Sequence, residues 1–200
     1  MVDPVNITDY NLSNERLEEY ILFCIAVAGK NALTTSRNLE RLLQHLHWEA
    51  RVEGWKPFEV VRRFSRDYLS EKMKEFGIGC YGLKSIGFYQ ICRKKIDLRA
   101  CTPAQLEECD SIGPKTSRFF ILHTRKKAKV ACLDTHILKW LKELGHDVPG
   151  SSPQSTKKYA EIEAIFLEIA RKKRMSPAKL DLMIWRKYSG NAPQNQGRAA

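Results

Sequence analysis

The chain has 200 residues, 43% of them hydrophobic, which is enough to bury a core in one domain or two small lobes and excludes a chain disordered throughout. Thirty-four Lys and Arg stand against 23 Asp and Glu, and the resulting +11 charge suits a phosphate-rich partner: DNA, RNA or an anionic membrane surface. No apolar run approaches the roughly 20 residues that span a bilayer, residues 1–20 lack the order of a signal peptide, and Cys24, Cys80, Cys92, Cys101, Cys109 and Cys132 form no C-x-x-C pair, so an intracellular protein with free thiols is expected.

Ser13 can cap a first helix in which Leu17, Tyr20, Ile21, Cys24, Ile25 and Ala28 recur at helical spacing until Gly29 supplies the stop. Further helices are expected from near Thr35, Pro57, Ser65 and Gly82, separated by Gly54 and the Gly77-Ile78-Gly79 turn. Thr102-Pro103-Ala104-Gln105 reads as a capping box with proline at the first helical position, opening a short helix that ends around Cys109. Residues 110–125 then give a tight turn and a helix whose apolar face includes Phe119, Phe120 and Leu122, forming a hairpin between two helices. Asp134 is placed to cap the next helix, and Ser155 and Ser176-Pro177 to open two later ones. Strand-like alternation is confined to Lys129–Leu133, so an all-α fold is expected. The loop from Gly145 to Gln154 is the candidate boundary between lobes, and the polar tail from Asn191 is expected to be mobile.

The hairpin carries the chemistry. A turn of small residues leading into a helix N-terminus directs backbone N–H groups and the positive end of a dipole at a phosphate without reading base sequence, and Ser111, Ile112, Gly113 and Thr116 are the candidates. An ordinary helix–helix turn in which Ile112 only plugs the core is the alternative. Lys115 opens the second helix, where a partly desolvated amine would have a lowered pKa and become nucleophilic; its plainer role is a phosphate contact. Such an amine can attack a sugar C1′ carbon, displace the base and leave a Schiff base that permits strand cleavage by β-elimination. Departure of the base leaves positive charge on the sugar, so the chemistry calls for a fixed carboxylate and has little need of a metal. Asp134, nineteen residues on, is that carboxylate, or only a helix cap.

Ser-Ile-Gly-Pro-Lys115 followed by Cys-Leu-Asp134-Thr-His-Ile-Leu resembles the helix-hairpin-helix DNA glycosylase/AP lyase superfamily, whose motif is a hairpin, a lysine and then a hydrophobic-Asp-x-His stretch. Lys158-Tyr159-Ala-Glu-Ile-Glu and Ser176-Pro-Ala-Lys-Leu-Asp181-Leu-Met-Ile-Trp185 are similar to the C-terminal helices of the compact archaeal and bacterial 8-oxoguanine DNA glycosylase/lyases, and the resemblance covers roughly residues 15–190. It implies a two-lobed all-α fold with the active site in the cleft between the lobes, one formed by about 30–130 and the other by 1–29 plus 131–190, with 191–200 as a flexible tail. It also implies a bifunctional enzyme of base excision repair that removes an oxidised purine, 8-oxoguanine, with Lys115 as nucleophile and Asp134 as its electrostatic partner. The implied partner is double-stranded DNA containing a damaged or modified base, acted on by a monomer without a cofactor. In that family the Asp and Trp of a D-L-x-x-W segment line the base pocket, which carries over onto Asp181 and Trp185, on one helical face. An indole offers a plane for a flipped purine, and a carboxylate accepts from its N–H edge. Several relatives hold an iron–sulfur cluster on four closely spaced C-terminal cysteines, and since no cysteine follows Cys132, none is expected here.

The sequence also departs from the family. Ser111 stands where the hairpin usually has its first glycine, and Ala28-Gly29-Lys30-Asn31-Ala32 stands where the compact enzymes read like Ala-Asn-Trp-Ser-Ala. Lys30 and Asn31 are therefore expected in the base pocket in a different contact, and the preferred lesion can differ from 8-oxoguanine. Arg118, Arg125, Lys126 and Lys84 are the expected phosphate contacts, with a solvated charge as the plainer reading of each. Two other functions stay open: a DNA base-modifying enzyme on the same fold, as in phage thymine-hypermodifying relatives, and a non-catalytic hairpin DNA-binding protein.

Overall fold

The computed structural model describes residues 2–188, so the tail from Asn191 lies outside the described residues. Among these, ten helices follow in chain order with no strand: α1 (Asn14–Val27), α2 (Ala32–Ala50), α3 (Pro57–Arg62), α4 (Arg66–Glu75), α5 (Tyr81–Arg93), α6 (Pro103–Glu107), α7 (Pro114–Thr124), α8 (Thr135–Glu143), α9 (Thr156–Lys172) and α10 (Pro177–Tyr188). The chain divides after Lys127 into two compact units.

Local chemistry sets the helix ends. Ser13, Ser65 and Ser155 each accept the N–H three residues on, and Thr102 and Gln105 exchange both hydrogen bonds of the capping box. Each such cap contributes about 1 kcal/mol. Helix α2 begins before Thr35 because Asn31, in extended conformation, accepts the Thr34 N–H at 3.0 Å.

The first unit is built around α1, which is buried continuously from Glu19 to Ala26. A helix covered on every side needs several partners, and α2, α3, α5 and α7 all pack on it. They bring Leu39, Leu42 and Leu46, Val60 and Val61, Phe88 and Ile91, and Phe120 and Ile121 into the core. Each side chain of this size contributes about 2 kcal/mol on burial. Residues 2–29, which the resemblance grouped with 131–190, pack within this unit. The N-terminal segment is tied there by the Tyr20 hydroxyl donating to the Ile7 carbonyl and by the Asp9 N–H donating to the His123 carbonyl.

The second unit packs α8 and α9 with α10 over Leu133, Trp140, Tyr159, Phe166 and Ile184. The Lys129–Leu133 run forms no strand, because side chains of α9 satisfy its backbone. Ala131 N–H donates to the Glu163 carboxylate at 2.8 Å, Leu133 N–H donates to the Tyr159 hydroxyl at 3.0 Å, and that hydroxyl donates to the Ala131 carbonyl at 2.8 Å. The Gly145–Gln154 loop is not the boundary: it joins α8 to α9 inside this unit, and Val148 is buried in the same core. All six cysteines are free thiols, five buried and Cys80 exposed. Among the described residues no group of three His, Cys, Asp or Glu is placed to hold a metal ion, and no helix is long and apolar enough to cross a membrane.

Candidate active site

The hairpin between α6 and α7 closes on itself. Cys109 N–H donates to the Leu106 carbonyl at 3.0 Å and Ile112 N–H to the Cys109 carbonyl at 3.1 Å. Ile112 is 3% exposed, so its side chain plugs the core and its amide is spent within the turn rather than left for a phosphate. Ser111 takes φ +73°, a left-handed conformation that favours glycine. Gly113 is the exposed, extended N-cap of α7 and provides no side-chain cap; Pro114 follows at the first helical position and Thr116 is buried. The start of α7 is therefore open at Gly113, as an anion site at a helix N-terminus requires.

Two of the expected phosphate contacts are braces within the fold. The Glu107 carboxylate accepts from Ser117 Oγ at 2.6 Å and from Arg118 at 2.8 Å, joining α6 to α7, and Arg118 also donates to the Pro114 carbonyl. Arg125 donates to the carbonyls of Cys101 and Leu98 at 2.6 and 3.1 Å. A carboxylate and a carbonyl hold the Arg118 guanidinium, and two carbonyls that of Arg125, where the sequence suggested a phosphate would.

Lys84 requires the plainest correction. It is 3% exposed, and its ammonium donates to the Ala26 carbonyl in the last turn of α1 at 2.6 Å, so it ties α5 to α1 instead of meeting DNA. Burial lowers its pKa, with the Lys30 charge acting in the same direction and Cys80 opposing it. Lys30 itself is exposed, and its side chain lies against Gly79, where a methyl group would overlap it. Asn31 is exposed and serves as the cap of α2.

Lys115 is half-buried at the second position of α7. Helix α7 packs on α1, and the Lys115 charge reaches Cys24: burial pushes the Cys24 thiol well up, against the pull of the Lys115 ammonium.

In the second unit Asp134 is the N-cap of α8, and its Oδ1 accepts the N–H groups of His136 and Ile137, both at 2.9 Å. Two backbone donors and the helix dipole fix this carboxylate and stabilise its negative charge. Asp181 is 7% exposed and Trp185 half-buried one turn apart on α10, beside the core residues Leu180 and Ile184. Lys115, Asp181 and Trp185 thus stand on helices, and Asp134 caps one, where the sequence predicted helices. The sequence reading missed the Glu107 brace and the Gln90–Asp110 contact, because long-range partners leave no periodic signal.

No protein-family model matches the sequence. Solved structures share its fold. The Methanocaldococcus jannaschii 8-oxoguanine glycosylase/lyase in complex with a 15mer DNA containing 8-oxoguanine is 25% identical, with a TM-score of 0.67 over 90% of this chain and 84% of that one. The M. jannaschii 8-oxoguanine DNA glycosylase is 24% identical, with a TM-score of 0.67 over 90% of this chain and 81% of that one. The 8-oxoguanine DNA glycosylase of Thermotoga maritima is 23% identical, with a TM-score of 0.65 over 88% of this chain and 81% of that one. The chain therefore has the all-α fold of the compact archaeal and bacterial 8-oxoguanine DNA glycosylases.

Proposed function

We propose that this protein is a bifunctional DNA glycosylase/AP lyase that excises an oxidised purine, 8-oxoguanine, from double-stranded DNA. The observation that carries the reading is Lys115: a half-buried amine directly after an uncapped helix-hairpin turn, on a fold shared with a glycosylase/lyase solved on 8-oxoguanine DNA. In this reading the Gly113 end of the hairpin grips a phosphate, assisted by the +11 charge of the chain. The damaged base leaves the stack, its plane meeting Trp185 and its N–H edge Asp181.

Lys115 Nζ, as the neutral amine, forms a bond to C1′ while the bond from C1′ to the base breaks, and the base departs with that electron pair and the proton the nitrogen gives up. Asp134 stabilises the positive charge that develops on the sugar. Opening of the sugar ring gives a Schiff base between Nζ and C1′; loss of a C2′ proton then expels the 3′ phosphate, and water releases the lysine. Lys30 and Asn31, where the compact enzymes read otherwise, are the residues on which the choice of lesion would turn.

The test is incubation with duplexes carrying single 8-oxoguanine, uracil, hydroxymethyluracil or abasic sites, with borohydride present and Lys115→Gln alongside. A Lys115-dependent covalent complex on the 8-oxoguanine duplex is expected. Trapping on uracil or hydroxymethyluracil in place of 8-oxoguanine would reassign the substrate, an altered but uncut strand would point to base modification, and binding with no trapping even on the abasic duplex would leave a DNA-binding protein.

A further inference from the structure

Helix α5 has a glycine in its interior, Gly87, where alanine would favour the helix. Its surroundings account for it. A methyl group at this position would overlap Ser111 Oγ and come within 3.1 Å of the Asp110 carbonyl oxygen. Ser111 is the left-handed residue of the hairpin, and its hydroxyl is buried without a hydrogen-bond partner among the described residues. The notch left by the missing side chain therefore acts by shape alone: it encloses a serine whose conformation and buried hydroxyl are both unfavourable.

One turn along α5, Gln90 holds the adjacent residue. Its side-chain oxygen accepts the Asp110 N–H at 2.7 Å, and its amide donates to the Asp110 carboxylate at 2.9 Å. Positions 87 and 90 lie on one helical face, so α5 meets the hairpin at two consecutive residues, through a notch and a two-bond clamp.

We propose that Gly87 and Gln90 are positioning residues for the DNA grip. By fixing Asp110 and Ser111 they set where Gly113, two residues on, stands against a phosphate. Hydrogen bonds weaken steeply once the donor moves off its distance and angle, so a displaced hairpin loses phosphate contact whatever base lies in the pocket. The inference rests on the DNA-glycosylase reading and adds that Ser111 is tolerated in the hairpin because α5 has been hollowed to receive it.

The experiment measures the affinity of the full chain for undamaged and 8-oxoguanine duplexes across a salt series, with the melting temperature of each variant. Gly87→Ala is expected to weaken binding to both duplexes by about tenfold, with a shallower salt dependence. Adding Ser111→Gly to Gly87→Ala removes the overlap and is expected to bring affinity to within about twofold of Ser111→Gly alone. Gln90→Ala adds no bulk and is expected to weaken both duplexes equally while the chain stays folded. Unchanged affinity in a folded Gly87→Ala or Gln90→Ala, or a Gly87→Ala defect that Ser111→Gly does not relieve, overturns the proposal. A wild-type chain that binds no duplex at low salt overturns the parent reading instead, and is told apart because it involves no variant.

Discussion

Tyr159→Phe isolates a single hydroxyl on which the approach to Asp134 depends. The Tyr159 side chain is fully buried, and its oxygen accepts from Leu133 N–H at 3.0 Å while donating to the Ala131 carbonyl at 2.8 Å. Ala131 and Leu133 are themselves fully buried, so without the hydroxyl one N–H and one carbonyl lose a partner far from solvent. Each orphaned group costs about 1–3 kcal/mol, which puts the variant about 2–6 kcal/mol below wild type. The ring stays in place, so little of that loss arises from packing. Urea unfolding followed by circular dichroism measures the stability, and amide exchange at Leu133 reports whether the loss is local. Single-turnover excision is expected to fall further than the unfolded fraction explains, because residues 131–133 lead directly into the cap residue Asp134. A loss under about 1 kcal/mol with unchanged Leu133 exchange would refute the view that α9 substitutes for a strand partner here.

Ser111→Gly relieves a left-handed serine and removes a buried, unbonded hydroxyl, offset by the greater freedom of glycine in the unfolded chain; a net gain of about 1 kcal/mol is expected, and a lower melting temperature would contradict it. Asp134→Asn keeps an equally good helix cap, so folding should survive while turnover falls roughly 10²–10³-fold; retained turnover in a rate assay would remove Asp134 from the mechanism. Lys115→Gln should abolish borohydride trapping and strand cleavage, and full activity in that variant would end the Schiff-base reading.

Glu18 is expected to weaken the fold as pH rises. Burial raises its carboxyl pKa, against the Phe58 N–H bond and the Arg62 charge. A folded pKa above the unfolded one means the group's favourable contribution is complete below the ordinary carboxylate range and is lost as pH rises through the folded value. Glu18→Gln should accordingly stabilise the chain at alkaline pH and change little in acid, and equal melting-temperature differences at both extremes would refute this.

What could be read from residue order were features decided within a few residues of each other. Ser13, Thr102, Asp134 and Ser155 cap their helices because a cap bond spans only two or three residues. The all-α class followed from apolar spacing, and the hairpin with Lys115 at its end from a contiguous motif. Only the tertiary structure decided which charges face inward: Lys84 on the Ala26 carbonyl, Arg125 on Cys101 and Leu98, and Arg118 on Glu107 are pairings across many residues, and a basic side chain reads the same in sequence whether it meets a phosphate or a carbonyl. The same holds for Lys129–Leu133, whose alternation suits a strand but whose backbone is claimed by Glu163 and Tyr159. It holds again for Ser111, whose place in the hairpin depends on the side chain that Gly87, twenty-four positions earlier, does not have.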